Sequence, residues 1–359
     1  MRFFTIRGAS SISIRCVAKA PSLAQATEVK KAIGVGLVGC GGMGSALATA
    51  IAQVPAGRLV GFYDLVRDNR EKLARQYDGR VHESLGNLLA DETVEAVVVA
   101  TPPDLHEPQV VTAARAGKHV FVEKPMALGV AGCERMIEAA HRAGVTLMVG
   151  QVLRYYEPFQ SILRWTREGR FGGPIHAFVR RVGAGSWAGS WRASLQRCGG
   201  YLYEMNAHEL DFLRCLLGEP AWVCAVRQRV RPVGHEIEDV ISLLMRFTSG
   251  ASAHFDGGLG WGRGKYEFNL CFEKLNLISE AAFDPKALTA WSPEGKPADV
   301  ALGPYQTESP VLRQMRGWLE SLRDSRAVPV PGEEGRETIR LVEAAYHSAA
   351  TGQQVAIAS

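Results

Sequence analysis

Two sets of residues in this chain have types and spacings that could do chemistry. The first is Gly39-Cys40-Gly41-Gly42-Met43-Gly44, a GxGxxG run, followed by Asp64 twenty residues past its last glycine. Glycines at these places permit a tight turn, close approach of the backbone to a pyrophosphate, and close packing of a helix on a strand. The helix N-terminus then presents unpaired N–H groups to the phosphates. A carboxylate at Asp64 would accept hydrogen bonds from an adenosine ribose and repel a 2′-phosphate. That favours NAD, with NADP as the alternative because Arg67 lies three residues on. Asp64 could also serve as a turn or helix cap, but the strand, the glycines and the spacing agree on a cofactor. The second set is Glu204, His208 and Asp211, spaced i, i+4 and i+7. On one helical face, a carboxylate one turn before a histidine raises its pKa and holds its ring, as a general acid/base needs. Metal binding is the other reading of Glu-x-x-x-His. With no further clustered His or Cys, we expect no metal.

The elements around these residues give them their force. Ile33–Gly39 reads as a buried strand and Ser45–Ala52 as a helix that is apolar nearly all round, so the glycines sit in a strand–turn–helix. Strands follow at Arg58–Asp64, Val94–Ala100, His119–Val122 and Val145–Gly150. Helices are expected at 69–77, Ser84–Ala90, His106–Ala116 and near 129–143. This alternation predicts a doubly wound parallel sheet of the Rossmann type. Its C-terminal edge carries Thr101-Pro102-Pro103 and Glu123-Lys124-Pro125, and ligands bind at that edge. The chain then leaves this domain. It runs through a strand at Ile175–Val182, a Gly-, Ser- and Trp-rich loop over Gly183–Arg192, and a helix opened by Gly199-Gly200 and ended by Gly218. Strands at Ala221–Val230, Val240–Phe247, Ala251–Phe255, Tyr266–Phe272 and Leu275–Ser279 follow without intervening helices. They predict antiparallel pairing in a sheet with one exposed face, a candidate oligomer surface. Residues 308–324 and 333–350 read as closing helices. We therefore expect an N-terminal extension over 1–31, a dinucleotide-binding domain over 32–150 and an α/β substrate and oligomerisation domain over 151–359. The last helices have room to pack back on the first domain.

Composition excludes several classes. Of 359 residues, 47% are hydrophobic and 22% charged, which fits a soluble globular chain and not a disordered or fibrous one. The net charge of +4 is concentrated at the N-terminus, where residues 1–31 hold six basic residues against Glu28 alone. The rest is close to neutral and has no basic block, so nucleic acid is not an expected partner. No apolar run is long enough to span a membrane. The seven cysteines are odd in number and widely spaced. They argue for a reducing compartment rather than a disulfide framework. The tail has the Arg- and Ser-rich composition of an organellar transit peptide. A cytoplasmic location is expected, with a mitochondrial or plastid one as the alternative.

The stretches Val35–Gly44, Val97–Pro103, Ala116–Pro125, Gly199–Asp211 and Pro331–Val355 resemble the Gfo/Idh/MocA oxidoreductases, the family of glucose–fructose oxidoreductase and inositol dehydrogenase. The resemblance spans nearly everything from residue 33 on. It implies a second domain with a large open, mostly antiparallel sheet that forms a homodimer or homotetramer, and hydride transfer between NAD(P) and a hydroxyl carbon of a sugar, inositol or related polyol. Such a reaction needs a proton acceptor and a cation near the forming carbonyl oxygen. The resemblance implies that His208 is the acid/base, with Lys124 polarising the oxygen and Glu204 positioning substrate or histidine. Where the family has Asp, a small residue and His, this chain has Glu204 and Asn206 before His208, which changes reach and places the substrate in question. The cofactor-binding set expected is Gly39, Cys40, Gly41, Gly42, Met43, Gly44, Asp64, Thr101, Pro102, His106, Glu123 and Lys124. The substrate set expected is Arg154, Trp191, Arg192, Glu204 and His208, with Trp191 and Arg192 read equally well as domain-junction packing. Two other functions share the fold: a redox-neutral, NAD-dependent glycosidase-type enzyme, and a non-catalytic NAD-sensing regulator.

Overall fold

A computed structural model describes residues 31–231, 234–302 and 308–357. The expected extension therefore lies, but for Lys31, outside the described residues. The first sheet holds β1 (Ile33–Val38), β2 (Gly57–Tyr63), β3 (Arg80–Val81), β4 (Ala96–Val99), β5 (His119–Glu123) and β6 (Leu147–Gly150). Its order is β3-β2-β1-β4-β5-β6 and every pairing is parallel. Val35, Leu37, Val97, Val98, Val120, Phe121 and Val149 are fully buried. A strand covered on both faces reads as such an unbroken apolar run. The crossovers contain α1 (Gly42–Ile51), α2 (Arg67–Tyr77), α3 (Leu85–Ala90), α4 (His106–Arg115) and α5 (Val130–Ala143). The strand order reverses between β1 and β4, which opens a crevice at their C-terminal ends. Helix α1 starts three residues earlier than expected, because Gly41 is its N-cap and Ser45 N already bonds Gly41 O at 2.8 Å. Ser84 caps α3 by accepting from Asn87 N at 3.1 Å.

After β6 the chain forms α6 (Phe159–Arg167), which the sequence reading did not separate from the linking segment. It continues through β7 (Pro174–Val182), the short α7 (Leu195–Cys198), α8 (Ala207–Leu217), β8 (Pro220–Gln228), β9 (Val240–Phe247), β10 (Ser252–Gly257), β11 (Lys265–Phe272), β12 (Asn276–Ser279), β13 (Leu288–Trp291) and β14 (Pro297–Ala298). Helices α9 (Pro310–Arg323) and α10 (Gly332–Thr351) and the strand β15 (Val355–Ala356) complete it. The nine-stranded sheet has the order β14-β13-β12-β11-β7-β10-β9-β8-β15. All its pairings are antiparallel except that of β7 with β10. The edge strands β14 and β15 and the neighbouring β13 are two to four residues long, too short to show a two-residue period. One face of this sheet is packed by helices. Phe159 of α6 meets Phe212 of α8 edge-on at 5.0 Å and Phe268 of β11 at 5.8 Å. The C-terminal helices reach the first sheet. Trp318 of α9 lies 5.5 Å from the Phe121 ring, and Val149 N bonds Val330 O at 2.9 Å.

Candidate active site

The glycine turn is built as a cradle. Gly39 has φ +90°, and a Cβ there would lie 2.7 Å from the Ala100 carbonyl. A Cβ on Gly44 would lie 1.9 Å from Gly39 O, so only glycine lets α1 pack this close to the turn. At Gly41 and Gly42 a Cβ would meet nothing within 4 Å, and Met43 is exposed beside them. These two positions therefore border open space at the helix N-terminus, as a bound pyrophosphate requires. Asp64 leaves the end of β2 and accepts from Cys40 N at 2.6 Å through one oxygen and from Val66 N at 2.7 Å through the other. It pins the glycine turn to the second strand and holds the turn that leads into α2, whose N-cap is Val66. Each oxygen keeps acceptor capacity for a ribose hydroxyl. Burial, and then the Asp64 charge, push the Cys40 thiol up to about 12, so it packs rather than reacts.

The next two loops of the sheet edge are stitched together by His106. Its Nε2 lies 2.9 Å from Thr101 O and its Nδ1 2.8 Å from Pro125 O. It is fully buried, and that burial lowers its pKa. Thr101 Oγ1 donates to Gln109 Oε1 at 2.7 Å. His106 thus works beneath the edge by joining the loop of Pro102 to the loop of Lys124. The Lys124–Pro125 peptide is cis. Glu123 is buried, and desolvation raises its carboxyl to about 7 against the opposing pull of the Lys124 charge. Lys124 Nζ donates to the carbonyl of Glu204 and lies 3.8 Å from Glu204 Oε2.

His208 sits in the first turn of α8, buried, with Nδ1 3.1 Å from Gln151 Oε1. An amide oxygen at that distance needs Nδ1 to carry the proton, which leaves Nε2 with its lone pair. Burial first, then the charges of Lys124 and Arg181, hold the imidazole well below its usual pKa. This corrects the expectation that Glu204 raises it. The reason lies in the backbone, because Leu202–Asn206 forms a wide π-type turn before α8 begins. The i, i+4 geometry of an α-helix does not apply across that turn. Glu204 faces Lys124 and Arg192 instead, accepting from Arg192 Nε at 2.6 Å. Asp211 likewise does not extend the stripe expected through Glu204 and His208. It takes a bidentate pair from Arg154 at 2.7 and 2.7 Å, and Arg154 also reaches Glu334 at 3.0 Å. The guanidinium of Arg154, an expected substrate contact, therefore ties the exit of β6 to α8 and α10.

The loop before α8 closes over the sheet edge. Arg192 stacks on Trp191 with its guanidinium carbon 4.4 Å from the ring centroid. Arg197 Nε reaches Asp104 Oδ2 at 3.2 Å, joining this loop to the Pro102 loop. Gln151 is the residue the sequence reading missed. Its signal was position, since it directly follows β6 on the same ligand-facing edge as Thr101 and Lys124. Among the described residues, no group of three or more His, Cys, Asp or Glu could hold a metal ion. A groove of about 690 Å³ between α4 and α5 is lined by residues including Glu107 and Arg135, which pair with each other. It lies away from the strand ends and has no part in this site.

Comparison with known proteins agrees with this geometry. Residues 33–151 match the model of an oxidoreductase family with an NAD-binding Rossmann fold, and residues 159–276 match the GFO/IDH/MocA C-terminal domain. The chain belongs to the Gfo/Idh/MocA oxidoreductase family. A 2,7-anhydro-N-acetylneuraminate hydratase from Escherichia coli (strain K12) is 32% identical over 63% of this chain and 62% of its own length. The match thus spans less than two thirds of that relative. A D-apiose dehydrogenase from Paraburkholderia graminis is 28% identical over 94% of this chain and 92% of its own. Among solved structures, an aldose–aldose oxidoreductase from Caulobacter crescentus complexed with glycerol superposes with a TM-score of 0.83 at 27% identity. It covers 91% of this chain and 100% of that one. This member of the family thus presents a neutral buried histidine, a lysine and a shared carboxylate at the edge of its dinucleotide-binding sheet.

Proposed function

We propose that the protein is an NAD-dependent dehydrogenase or reductase acting on a hydroxyl carbon of a sugar, inositol or related polyol. The observation that carries this reading is the neutral His208 beside Lys124, at the strand ends that also bear the glycine cradle. NAD, when bound, supplies the hydride acceptor. His208, with Nδ1 engaged by Gln151, takes the hydroxyl proton at Nε2. The Lys124 ammonium stabilises the negative charge that develops on the oxygen. Glu204 holds Lys124 through its carbonyl and orients Arg192. The Asp64 carboxylate supports NAD over NADP. We also propose that the working division of the chain falls at residue 150, with substrate recognition beyond it, and that the exposed sheet face pairs protomers. The regulator reading needs no acid/base, and the intact set of Lys124, Glu204 and His208 counts against it.

A redox-neutral reaction through transient oxidation is the second reading, supported by the similarity to the anhydro-sugar hydratase. A substrate panel followed by NADH absorbance and product analysis separates the two. Net NADH formation with one polyol supports the dehydrogenase, and product without NADH supports the second reading. If neither forms while NAD is bound, both are refuted.

A further inference from the structure

The cations around this site are not equally neutralised. Arg181 has Glu209 at 2.8 Å, Arg154 has Asp211 at 2.7 Å, and Arg197 has Asp104 at 3.2 Å. Lys124 and Arg192 share one carboxylate, that of Glu204, at 3.8 and 2.6 Å. Among the described residues, no second carboxylate lies within ion-pair distance of either. Glu123, the next acid along the chain, spends its hydrogen bond on the Lys124 backbone N–H at 3.1 Å. Burial holds Glu123 up at about 7, so while it keeps its proton one positive charge is left over, and the structure shows where it is accessible. The side chain of Lys124 is 12% exposed, while that of Arg192 is 43% exposed.

The Arg192 guanidinium is also held in place. Its Nε is fixed on Glu204 and its plane rests on the Trp191 ring at 4.4 Å. Those contacts leave the two Nη groups as a rigid fork of donors, the geometry that receives a carboxylate through two parallel bonds. Glu204 spans the gap between this fork and Lys124, so fork and proton-transfer centre are separated by about one side chain. A sugar ring can cover that span, with its reacting hydroxyl at Lys124 and His208 and an acidic substituent at Arg192.

We infer that the substrate is an acidic sugar or polyol, whose carboxylate docks on the Nη edge of Arg192. This rests on the dehydrogenase reading and narrows its substrate class. A single uncompensated charge matches a monoanion better than a phosphate dianion, which would bring negative charge in excess.

The test titrates the NAD-loaded full chain with matched probes: D-glucose against D-glucuronate and D-galactose against D-galacturonate, with D-glucose 6-phosphate as a third arm. Binding is read by calorimetry and turnover by NADH formation. At least one uronate should bind ~30-fold or more tighter than its neutral partner. Arg192→Lys should cut that preference by roughly 10-fold and Arg192→Gln should bring it to about one, because the first keeps the charge without the fork. Circular dichroism confirms that both variants are folded, and the ratio of the two ligands cancels any general loss of binding. Uronates binding no tighter than hexoses, a preference that survives Arg192→Gln, or a stronger preference for the phosphate would each overturn the proposal. If no probe is oxidised although NAD is bound, the dehydrogenase reading is what suffers, and the binding ratio still decides this one.

Discussion

Substituting Gln151 by Glu should make His208 easier to protonate and move the acid limb of activity upward. In the native site the imidazole is neutral, because burial and the charges of Lys124 and Arg181 all oppose its cation. Its base form is therefore present throughout the neutral range, and the acid limb of kcat/KM is expected well below pH 6.5. A carboxylate oxygen in place of Gln151 Oε1 would sit 3.1 Å from Nδ1. At an effective dielectric of about 20, that contact gives the imidazolium an upper bound of ~5 kcal/mol, or ~4 pH units of titration. Burying the new carboxylate takes back much of this, so we expect the acid limb to rise by ~1–2 pH units. The sign is fixed: a raised histidine pKa removes the base at a pH where the native enzyme still has it. The companion Gln151→Leu leaves a buried N–H without an acceptor, which costs about 1–3 kcal/mol. Moving the proton to Nε2 avoids that cost but blocks the base, so kcat/KM should fall by roughly 5- to 150-fold without a shift of the limb. The assay is the pH profile of NADH formation for the native chain and both variants. Three superimposable profiles would refute the role given to the Gln151–His208 pair.

Other consequences follow from the same geometry. Lys124→Ala removes the cation at the forming oxygen, so kcat should fall by ~10²–10⁴-fold, while the Kd for NAD measured by fluorescence titration stays within a few-fold of native. Asp64→Ala strips an acceptor from both Cys40 N and Val66 N. It should weaken NAD more than NADP in the same titration, and lower stability by about 1–3 kcal/mol in urea melts. Burial raises the Glu123 carboxyl from its ordinary 4.5 to about 7, so the folded chain holds the extra proton in that window. Its contribution is intact below pH 4.5 and is lost as pH rises towards 7, a change of about 3 kcal/mol. Glu123→Gln should therefore gain stability relative to the native chain in melts at pH 8 and not at pH 5.

The first sheet was legible because each of its signals is local. The unbroken valine runs, Gly39, Gly41 and Gly44 at fixed spacing, and Pro102, Pro103 and Pro125 at strand ends all act within a few residues. Lys124 was legible for the same reason, since its place at the end of β5 follows from the strand before it. The fate of Glu204 was not. A helical wheel assumes 3.6 residues per turn, and the wide turn at Leu202–Asn206 breaks that assumption without any proline or unusual composition. Arg154 and Asp211 pair across 57 positions of sequence, so their mutual neutralisation appears only when the turn after β6 is packed against α8. Gln151 escaped notice because one amide after a strand carries no motif. The parallel pairing of β7 with β10 was hidden too, because consecutive strands suggest hairpins while β7 finds its partner three strands later.

The central claim is that hydride leaves a hydroxyl carbon for the nicotinamide at the site of Lys124 and His208. Carrying out one round of turnover with substrate deuterated at that carbon, followed by mass spectrometry of the recovered nucleotide, tests it most directly. The account predicts that the reduced nucleotide carries the deuterium, and that Lys124→Ala and His208→Ala slow its appearance together. Turnover that leaves the nucleotide unlabelled would contradict it.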